Sequence, residues 1–133
     1  MIPHLMLIDD NEDDQMFYKR IIDRSALVEH FHPFMLAADA LAFLRLPDRP
    51  AIDAILLDIN MPGLDGFQFL DTAIAEFGEH FAKVAVIMLT TSLLDRDKQR
   101  ARQYAVVRDY ITKPLMQEHL KKIDGILQGD DQA

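Results

Sequence analysis

Short apolar runs alternate with helical segments along the whole chain, and this alternation constrains the fold more than any other feature. We predict strands over these runs, at residues 5–8, 28–36, 54–57, 84–89 and 107–111. A helical segment is predicted after each strand, near residues 12–26, 41–46, 66–77, 95–104 and 120–127. Strands that alternate with helices favour right-handed crossovers and a parallel sheet covered on both faces. The pattern therefore predicts a doubly wound, five-stranded α/β fold.

Local signals set several of these boundaries. The uninterrupted apolar run at residues 5–8 is typical of a strand buried on both faces. Pro33 lacks an amide donor, so the second strand should lie at an edge of the sheet. Asn11 and Asp65 are suited to cap the helices that follow them, and Gly78 is expected to end the third helix.

Composition narrows the class of protein. The chain has 133 residues, which is the size of one domain with a substantial core. Its net charge of −8 argues against nucleic-acid binding, which needs a basic surface. The absence of cysteine excludes disulfides, thiolate catalysis and cysteine-ligated zinc. Neither a signal peptide nor the ~20 apolar residues of a membrane span can be recognised. We expect a cytoplasmic domain at residues 1–128 and a short acidic tail at 129–133.

Polar and charged side chains stand at or just beyond the carboxyl ends of several predicted strands. Asp9 and Asp10 follow the first strand, Asp58 the third, Thr90 the fourth and Lys113 the fifth. These strand ends meet along one edge of a parallel sheet, so three carboxylates and an amine would gather there. Carboxylates suit a hard divalent cation such as Mg²⁺, and the amine adds a positive charge. The combination is typical of a site that handles a phosphoryl group.

Each of these residues also has an ordinary structural explanation. Asp9 or Asp10 could cap a helix, and Asp58 could belong to a turn. Lys113 could be a solvated lysine, and Thr90 a plain strand or capping residue. Adjacent carboxylates at a strand end repel one another, however, and capping needs only one of them. The joint placement at four strand ends therefore favours the phosphoryl site.

Four segments resemble the response-regulator receiver family. They are residues 7–11 (LIDDN), 56–66 (LLDINMPGLDG), 89–90 (LT) and 109–114 (DYITKP). Their order and spacing extend over nearly the whole chain, and the central segment is highly specific by itself. The chain looks like a stand-alone, chemotaxis-regulator-like member of that family. The resemblance implies a flavodoxin-like fold with the strand order 2-1-3-4-5.

The resemblance also implies which residues accept the phosphoryl group and hold the metal. Asp58 would be the phosphoacceptor. Asp10 and Asp58 would bind Mg²⁺ directly, and Asp9 would act largely through water. The backbone carbonyl of Asn60 would complete the protein ligands.

Three further residues would respond to phosphorylation. Thr90 would donate its hydroxyl to the phosphoryl group and move toward it, and the rotamer of Tyr110 would follow Thr90. Lys113 would pair with a phosphoryl oxygen. The peptide bond between Lys113 and Pro114 would be cis, which is affordable only before proline.

The functional expectation is a single-domain response regulator of a two-component phosphorelay. It would take a phosphoryl group from a histidine kinase or phosphotransfer protein, and would catalyse only its own phosphorylation and dephosphorylation. Its output would be the binding of a downstream protein or relay of the phosphoryl group. An alternative is a phosphorylation-independent interaction module on the same fold. A Mg²⁺-dependent phosphatase would need a substrate cap and a second catalytic acid, for which Asn60 is unsuited.

The predicted fourth helix is unusually basic for an acidic chain. Its basic residues are Arg96, Lys98, Arg100 and Arg102. The pattern fits either a solvated helix face or a contact surface for an acidic partner, and Tyr104, Val106 and Val107 could add apolar area to it or belong to the core. The resemblance implies a switch surface formed by the fourth helix, fifth strand and fifth helix. Family members often dimerise there, so either a monomer or a phosphorylation-dependent homodimer is expected.

Two positions depart from the family pattern. Val106 stands where glycine is common, and valine resists the left-handed conformation, so the turn into the fifth strand should differ locally. The residues after Pro114 offer no short polar cap for the last helix. The five histidines show no metal-ligand spacing and are expected to be exposed or half-buried. They are His4, His30, His32, His80 and His119.

Overall fold

A parallel sheet with the strand order β2-β1-β3-β4-β5 forms the centre of the computed structural model, which describes residues 1–129. Its strands are β1 Ile2–Ile8, β2 Val28–Phe34, β3 Ala54–Leu57, β4 Ala85–Thr90 and β5 Val107–Thr112. The helices are α1 Glu12–Ser25, α2 Ala37–Leu44, α3 Gly66–Phe77, α4 Glu79–Ala82, α5 Asp95–Arg102 and α6 Gln117–Leu127. The predicted fold class and strand order are confirmed, and β2 lies at the sheet edge as Pro33 indicated.

Several predicted boundaries were wrong by a few residues. The one-turn helix α4 was not predicted, so the predicted fourth and fifth helices are α5 and α6. Strand β2 ends at Phe34 because the chain turns there into α2, which begins four residues earlier than predicted. Leu36, predicted as the end of a strand, instead precedes α2, and its carbonyl accepts the amide of Ala40 at 3.2 Å.

The sheet separates two apolar layers. Along β1, Met6 and Ile8 face one layer, which contains residues of α2 and α3. Leu5 and Leu7 face the other layer, which contains residues of α1 and α6. Successive side chains of a strand point to opposite faces, so the continuous apolar run of β1 is required by helices on both sides. The two layers hold the carboxyl ends of the central strands at one edge.

The predicted caps at Asn11 and Asp65 are present. The side chain of Asn11 accepts the amide of Asp14 at 2.9 Å. Asp65 and Gln68 form a reciprocal capping box at the start of α3. Helix α6 has no short polar cap, as expected, but Nδ1 of His119 accepts the amide of Met116 at 2.9 Å. A half-buried histidine thereby satisfies one donor of the helix terminus.

Val106, at the turn into β5, does not adopt the left-handed conformation. Among residues 1–129, positive φ values occur at Ala26, Gly63, Gly78 and Gly129. The pairing of β4 with β5 instead skips Arg108, since Val86 pairs with Val107 and Ile87 with Asp109. Val106 is buried, and Tyr104 and Val107 pack against the same core layer. These three residues therefore belong largely to the core.

Three of the histidines form a cluster, although His4 is far from His30 and His32 in the sequence. The ring of His4 stacks on His30 at 4.6 Å and on His32 at 5.2 Å between centroids. Nδ1 of His4 lies 3.0 Å from Nε2 of His32, and His32 also packs beside Phe43. Burial, followed by the neighbouring His4 and His30, lowers the pKa of His32. The folded state therefore favours the neutral His32 ring.

We expect this cluster to make stability depend on pH. A histidine with a lowered pKa in the folded state stabilises the protein above its unfolded pKa of about 6.5, and this stabilisation is lost as the pH falls below that value. Between about pH 7.5 and about pH 5.5, the free energy of unfolding in urea should fall less for His32→Phe than for the wild type. His80→Phe, at an exposed histidine, serves as the control. An equal pH effect in the wild type and His32→Phe would contradict the account.

Candidate functional site

The parallel strands bring the predicted site residues to one edge of the sheet. Asp9 follows β1, and its amide donates to the carbonyl of Phe34 at 3.0 Å. Asp58 follows β3, and its amide donates to the carbonyl of Ile8 at 3.1 Å. Thr90 ends β4, and its carbonyl accepts the amide of Lys113 at 2.9 Å. These ladder bonds fix the positions from which the functional side chains project.

Three carboxylates converge at this edge. One oxygen each of Asp9, Asp10 and Asp58 lies within 4.8 Å of the other two. Asp9 is fully buried and Asp58 is 7% exposed, whereas Asp10 is accessible to solvent. Burial raises the pKa of Asp9, and this effect outweighs the lowering by Lys113 and by the amide of Asn11. Gathering like charges in a buried place is costly unless a cation balances them.

The donor set fits a hard divalent cation. Carboxylate oxygens are the side-chain ligands that such ions prefer. Oδ2 of Asp9 accepts no hydrogen bond although it is buried. It lies 2.8 Å from Nζ of Lys113, so the contact is an ion pair without hydrogen-bond geometry. The cluster could therefore hold a metal ion, with the mouth of the site at Asp10.

Lys113 balances part of this charge. Its Nζ lies 2.8 Å from Asp9, 2.8 Å from Asp14 and 3.3 Å from Asp58, and its side chain is only 10% exposed. Burial by itself would lower the pKa of Lys113, but the contacts with Asp14 and Asp9 and the charge of Asp58 raise it above its ordinary value. The surrounding carboxylates therefore favour the charged form of Lys113. It precedes a cis peptide bond to Pro114, as the resemblance implied.

A second network starts at Thr90, which is fully buried. Its Oγ1 accepts the amide of Ser92 at 3.3 Å. Tyr110, on the neighbouring strand β5, donates its hydroxyl to the carbonyl of Ser92 at 2.9 Å. The Ser92 hydroxyl donates to Asp97 of α5 at 2.6 Å. The loop after β4 is thus joined to Thr90, to Tyr110 and to α5.

The loop after Asp58 is held close to the site by Gly66. The amide of Gly66 donates to the carbonyl of Ile59 at 2.8 Å. A Cβ atom at Gly66 would come within 2.4 Å of the backbone oxygen of Asp58. Only glycine therefore lets α3 begin so close to the phosphoacceptor candidate. Asn60 lies exposed in the same loop, while Met61 is buried.

Sequence reasoning missed Asp14 and Ser92 as members of these networks. Asp14 lies with Glu12 and Asp13 in the first turn of α1, where acidic residues favour the helix dipole, so its sequence position has an ordinary explanation. Its contact with Lys113 joins residues 99 positions apart, and only the packing of α1 on the sheet determines that contact. Ser92 stands two residues after Thr90, and that short spacing was the available signal. The placement of Asp9, Asp10, Asp58, Thr90 and Lys113 at this edge could be predicted, because each lies at or just beyond the end of a predicted strand.

Comparison with known proteins identifies the family. Residues 5–123 match the response regulator receiver domain. The chain belongs to the response regulator receiver family. It is 32% identical over 126 residues to the protein PilH of Pseudomonas aeruginosa, covering 94% of this chain and 98% of PilH. Other relatives are much longer, and the chain spans between 7% and 50% of their length.

Solved structures of receiver proteins share the architecture. A two-component response regulator from Cytophaga hutchinsonii superposes with a TM-score of 0.85 and 26% identity, covering 96% of this chain and 98% of that one. The Mn²⁺-bound form of the response regulator Rcp1 gives a TM-score of 0.72 and 25% identity, covering 92% and 90% of the two chains.

In the described residues, no helix is long and apolar enough to span a membrane.

Substitution at Gly66 should damage both stability and the site. We expect Gly66→Ala to cost about 2 kcal/mol or more, because its Cβ would collide with backbone that cannot yield like a side chain. Gly63→Ala is the comparison, since it has open space and costs only about 1 kcal/mol for its left-handed backbone. Urea unfolding measures both. Equal losses in the two variants would refute the close-approach explanation.

Proposed function

We propose that this chain is a single-domain response regulator that accepts a phosphoryl group on Asp58. The observation that carries the proposal is the convergence of Asp9, Asp10 and Asp58 beside the ammonium of Lys113. Receiver-family membership supports the same reading. PilH, which the chain covers almost end to end, supports the single-domain assignment.

The reaction transfers a phosphoryl group from an oxygen or nitrogen atom of the donor to a carboxylate oxygen of Asp58. With acetyl phosphate, a carboxylate oxygen of Asp58 forms a bond to phosphorus as the bond from phosphorus to the acetate oxygen breaks. Acetate leaves with that electron pair, and no proton is transferred. With a phosphohistidine donor, the phosphorus–nitrogen bond breaks and the donor imidazole keeps the pair. Charge neutralisation and positioning supply most of the catalysis in such transfers.

Mg²⁺ is the proposed cofactor. Asp10, Asp58, Asp9 and the backbone carbonyl of Asn60 would hold it. When bound, the ion neutralises charge on the transferring oxygens. The carboxylate cluster and the divalent ion named for Rcp1 support this assignment. Lys113 would supply the remaining positive charge, because its ammonium already lies 3.3 Å from Asp58.

Thr90 and Tyr110 would convert phosphorylation into a change of surface. The phosphorylated Asp58 would carry roughly 1.5–2 negative charges in all, in place of the single charge of the carboxylate, and Thr90 would turn its hydroxyl toward them. The loop that follows Thr90 contains Ser92, whose carbonyl accepts the Tyr110 hydroxyl at 2.9 Å. Movement of Thr90 would therefore alter Tyr110 and the start of α5. A local charge would bias a two-state element of the fold.

The proposed output surface is the face formed by α5, β5 and α6. A groove of about 380 Å³ lies there, and Lys98, Arg102 and Tyr110 are among its lining residues. Lys98 also lies 6.0 Å from the centre of the Tyr110 ring. These contacts support an acidic downstream protein target. A symmetric homodimer through α5 would bring like charges together, so the monomer is favoured before phosphorylation.

The upstream partner would be a histidine kinase or histidine phosphotransfer protein in the cytoplasm. The output would be binding of a target, relay of the phosphoryl group, or both. No external substrate is turned over in this proposal. A phosphorylation-independent interaction module remains the second candidate, because the same fold and the same α5 surface could bind a partner constitutively.

Intact-mass measurement with Mg²⁺ and acetyl phosphate separates the two candidates. We expect the wild type to gain the mass of one phosphoryl group, because Asp58 lies beside the cation cluster and Lys113. Asp58→Asn should gain none, since an amide does not form the acyl phosphate. Asp65→Asn is the matched control, because asparagine still caps α3, and it should be labelled like the wild type.

Two results would contradict the proposal. Stoichiometric labelling of folded Asp58→Asn would move the phosphoacceptor to another residue. A folded wild type that binds Mg²⁺ but never gains mass, with acetyl phosphate or a phosphohistidine donor, would favour the constitutive interaction module.

A further inference from the structure

Asp14 is a carboxylate of the site that the phosphoryl chemistry described above does not use. Its Oδ2 lies 2.8 Å from Nζ of Lys113, as close as Asp9 and closer than Asp58 at 3.3 Å. The Asp14 side chain is 31% exposed, whereas that of Asp58 is 9% exposed. Asp14 therefore contacts the ammonium from the solvent side.

The first turn of α1 fixes this position. The amide of Asp14 is bound by the side chain of Asn11 at 2.9 Å. The next residue, Gln15, donates its side-chain amide to the carbonyls of Asp9 and Phe34 at 3.0 and 2.9 Å. The turn is thus closed by its own cap at Asn11 and is tied by Gln15 to the ends of β1 and β2. The neighbouring Asp13 is exposed on the same turn, whereas the carboxylates that pair with Lys113 in the described residues are those of Asp9, Asp14 and Asp58.

The ammonium of Lys113 has three N–H donors, and three carboxylates surround it. A phosphoryl group on Asp58 would need one of these donors and would bring additional negative charge. Asp14 occupies a donor and adds a like charge next to the place where the phosphoryl group arrives. Two unit charges a few ångströms apart in a partly solvated site interact by about 1 kcal/mol or more.

We infer that Asp14 is a positioning residue that holds the Lys113 ammonium and slows phosphorylation of Asp58 by competing for it and by repelling anionic donors. This inference rests on the proposed phosphorylation of Asp58. The charge of Asp14, a residue of α1, thereby limits the rate at which the site accepts a phosphoryl group.

Charge can be separated from structure by substitution at Asp14. Asp14→Asn keeps an oxygen that accepts from Lys113 and removes the charge. Its initial rate of labelling by acetyl phosphate should rise about fivefold at low salt. The gain should largely vanish near 1 M salt, where the screening length is ~3 Å. Asp14→Glu restores the charge and should return the rate toward that of the wild type. A purely structural role would produce neither the salt dependence nor the rescue.

Asp13→Asn is the matched control, because it removes the same charge from the same helix turn without touching Lys113. It should be labelled at the wild-type rate. A second readout needs no phosphodonor: calorimetric Mg²⁺ titration should give about twofold to threefold weaker binding for Asp14→Asn and no change for Asp13→Asn. This readout tests the effect of Asp14 on the site without any phosphoryl transfer.

The outcomes distinguish the inference from the proposed function. If the wild type is labelled but Asp14→Asn is equally fast or slower, Asp14 does not limit the rate of labelling. If Asp13→Asn is accelerated as much as Asp14→Asn, the effect is one of net charge and the inference is overturned. If the wild type is never labelled, the proposed function fails, and the Mg²⁺ titration alone decides whether Asp14 acts on the site.

Discussion

The ion cluster around Lys113 is the interaction on which the site depends. Asp9, Asp14 and Asp58 come from the end of β1, the start of α1 and the end of β3, and all three carboxylates lie within 3.3 Å of one ammonium. Lys113 is held in turn by its own backbone bond to Thr90 at the end of β4. Separate parts of the fold thus meet at one buried cation. Without it, the buried acids would repel one another across the edge of the sheet.

The sheet order explains why these residues can meet. Strands β1 and β3 are adjacent and central, so Asp9 and Asp58 project side by side. Strand β4 follows β3, and β5 follows β4, so Thr90 and Lys113 extend the same edge. Helices cover both faces of the sheet, so the central strands carry apolar side chains. The strand ends are therefore the places where charged side chains can gather. Signalling in this fold would use the same arrangement, since Tyr110 and Ser92 connect that edge to α5.

Much of the fold and the core of the site could be predicted from the sequence. Continuous apolar runs, Pro33 at the edge strand and the caps at Asn11 and Asp65 reflect local physical rules. The site residues that follow strands directly were readable for the same reason. The one-turn helix α4 was missed because four residues carry no periodic signal. Asp14 was missed because the preference for acidic residues in the first turn of a helix and a long-range ion pair require the same residue type. The cluster of His4, His30 and His32 depends on strand pairing, which no local pattern reveals.

Equilibrium unfolding of Lys113→Met, with and without Mg²⁺, tests the central claim most directly. Methionine keeps an unbranched side chain, one heavy atom shorter than that of lysine, and removes the charge. In a chelator at neutral pH, the variant should lose about 3 kcal/mol, because the buried carboxylates are left without their partner. Saturating Mg²⁺ should recover a substantial part of that loss, since the ion stabilises the folded state that binds it. Wild-type stability of Lys113→Met in chelator, or no response to Mg²⁺, would contradict the account.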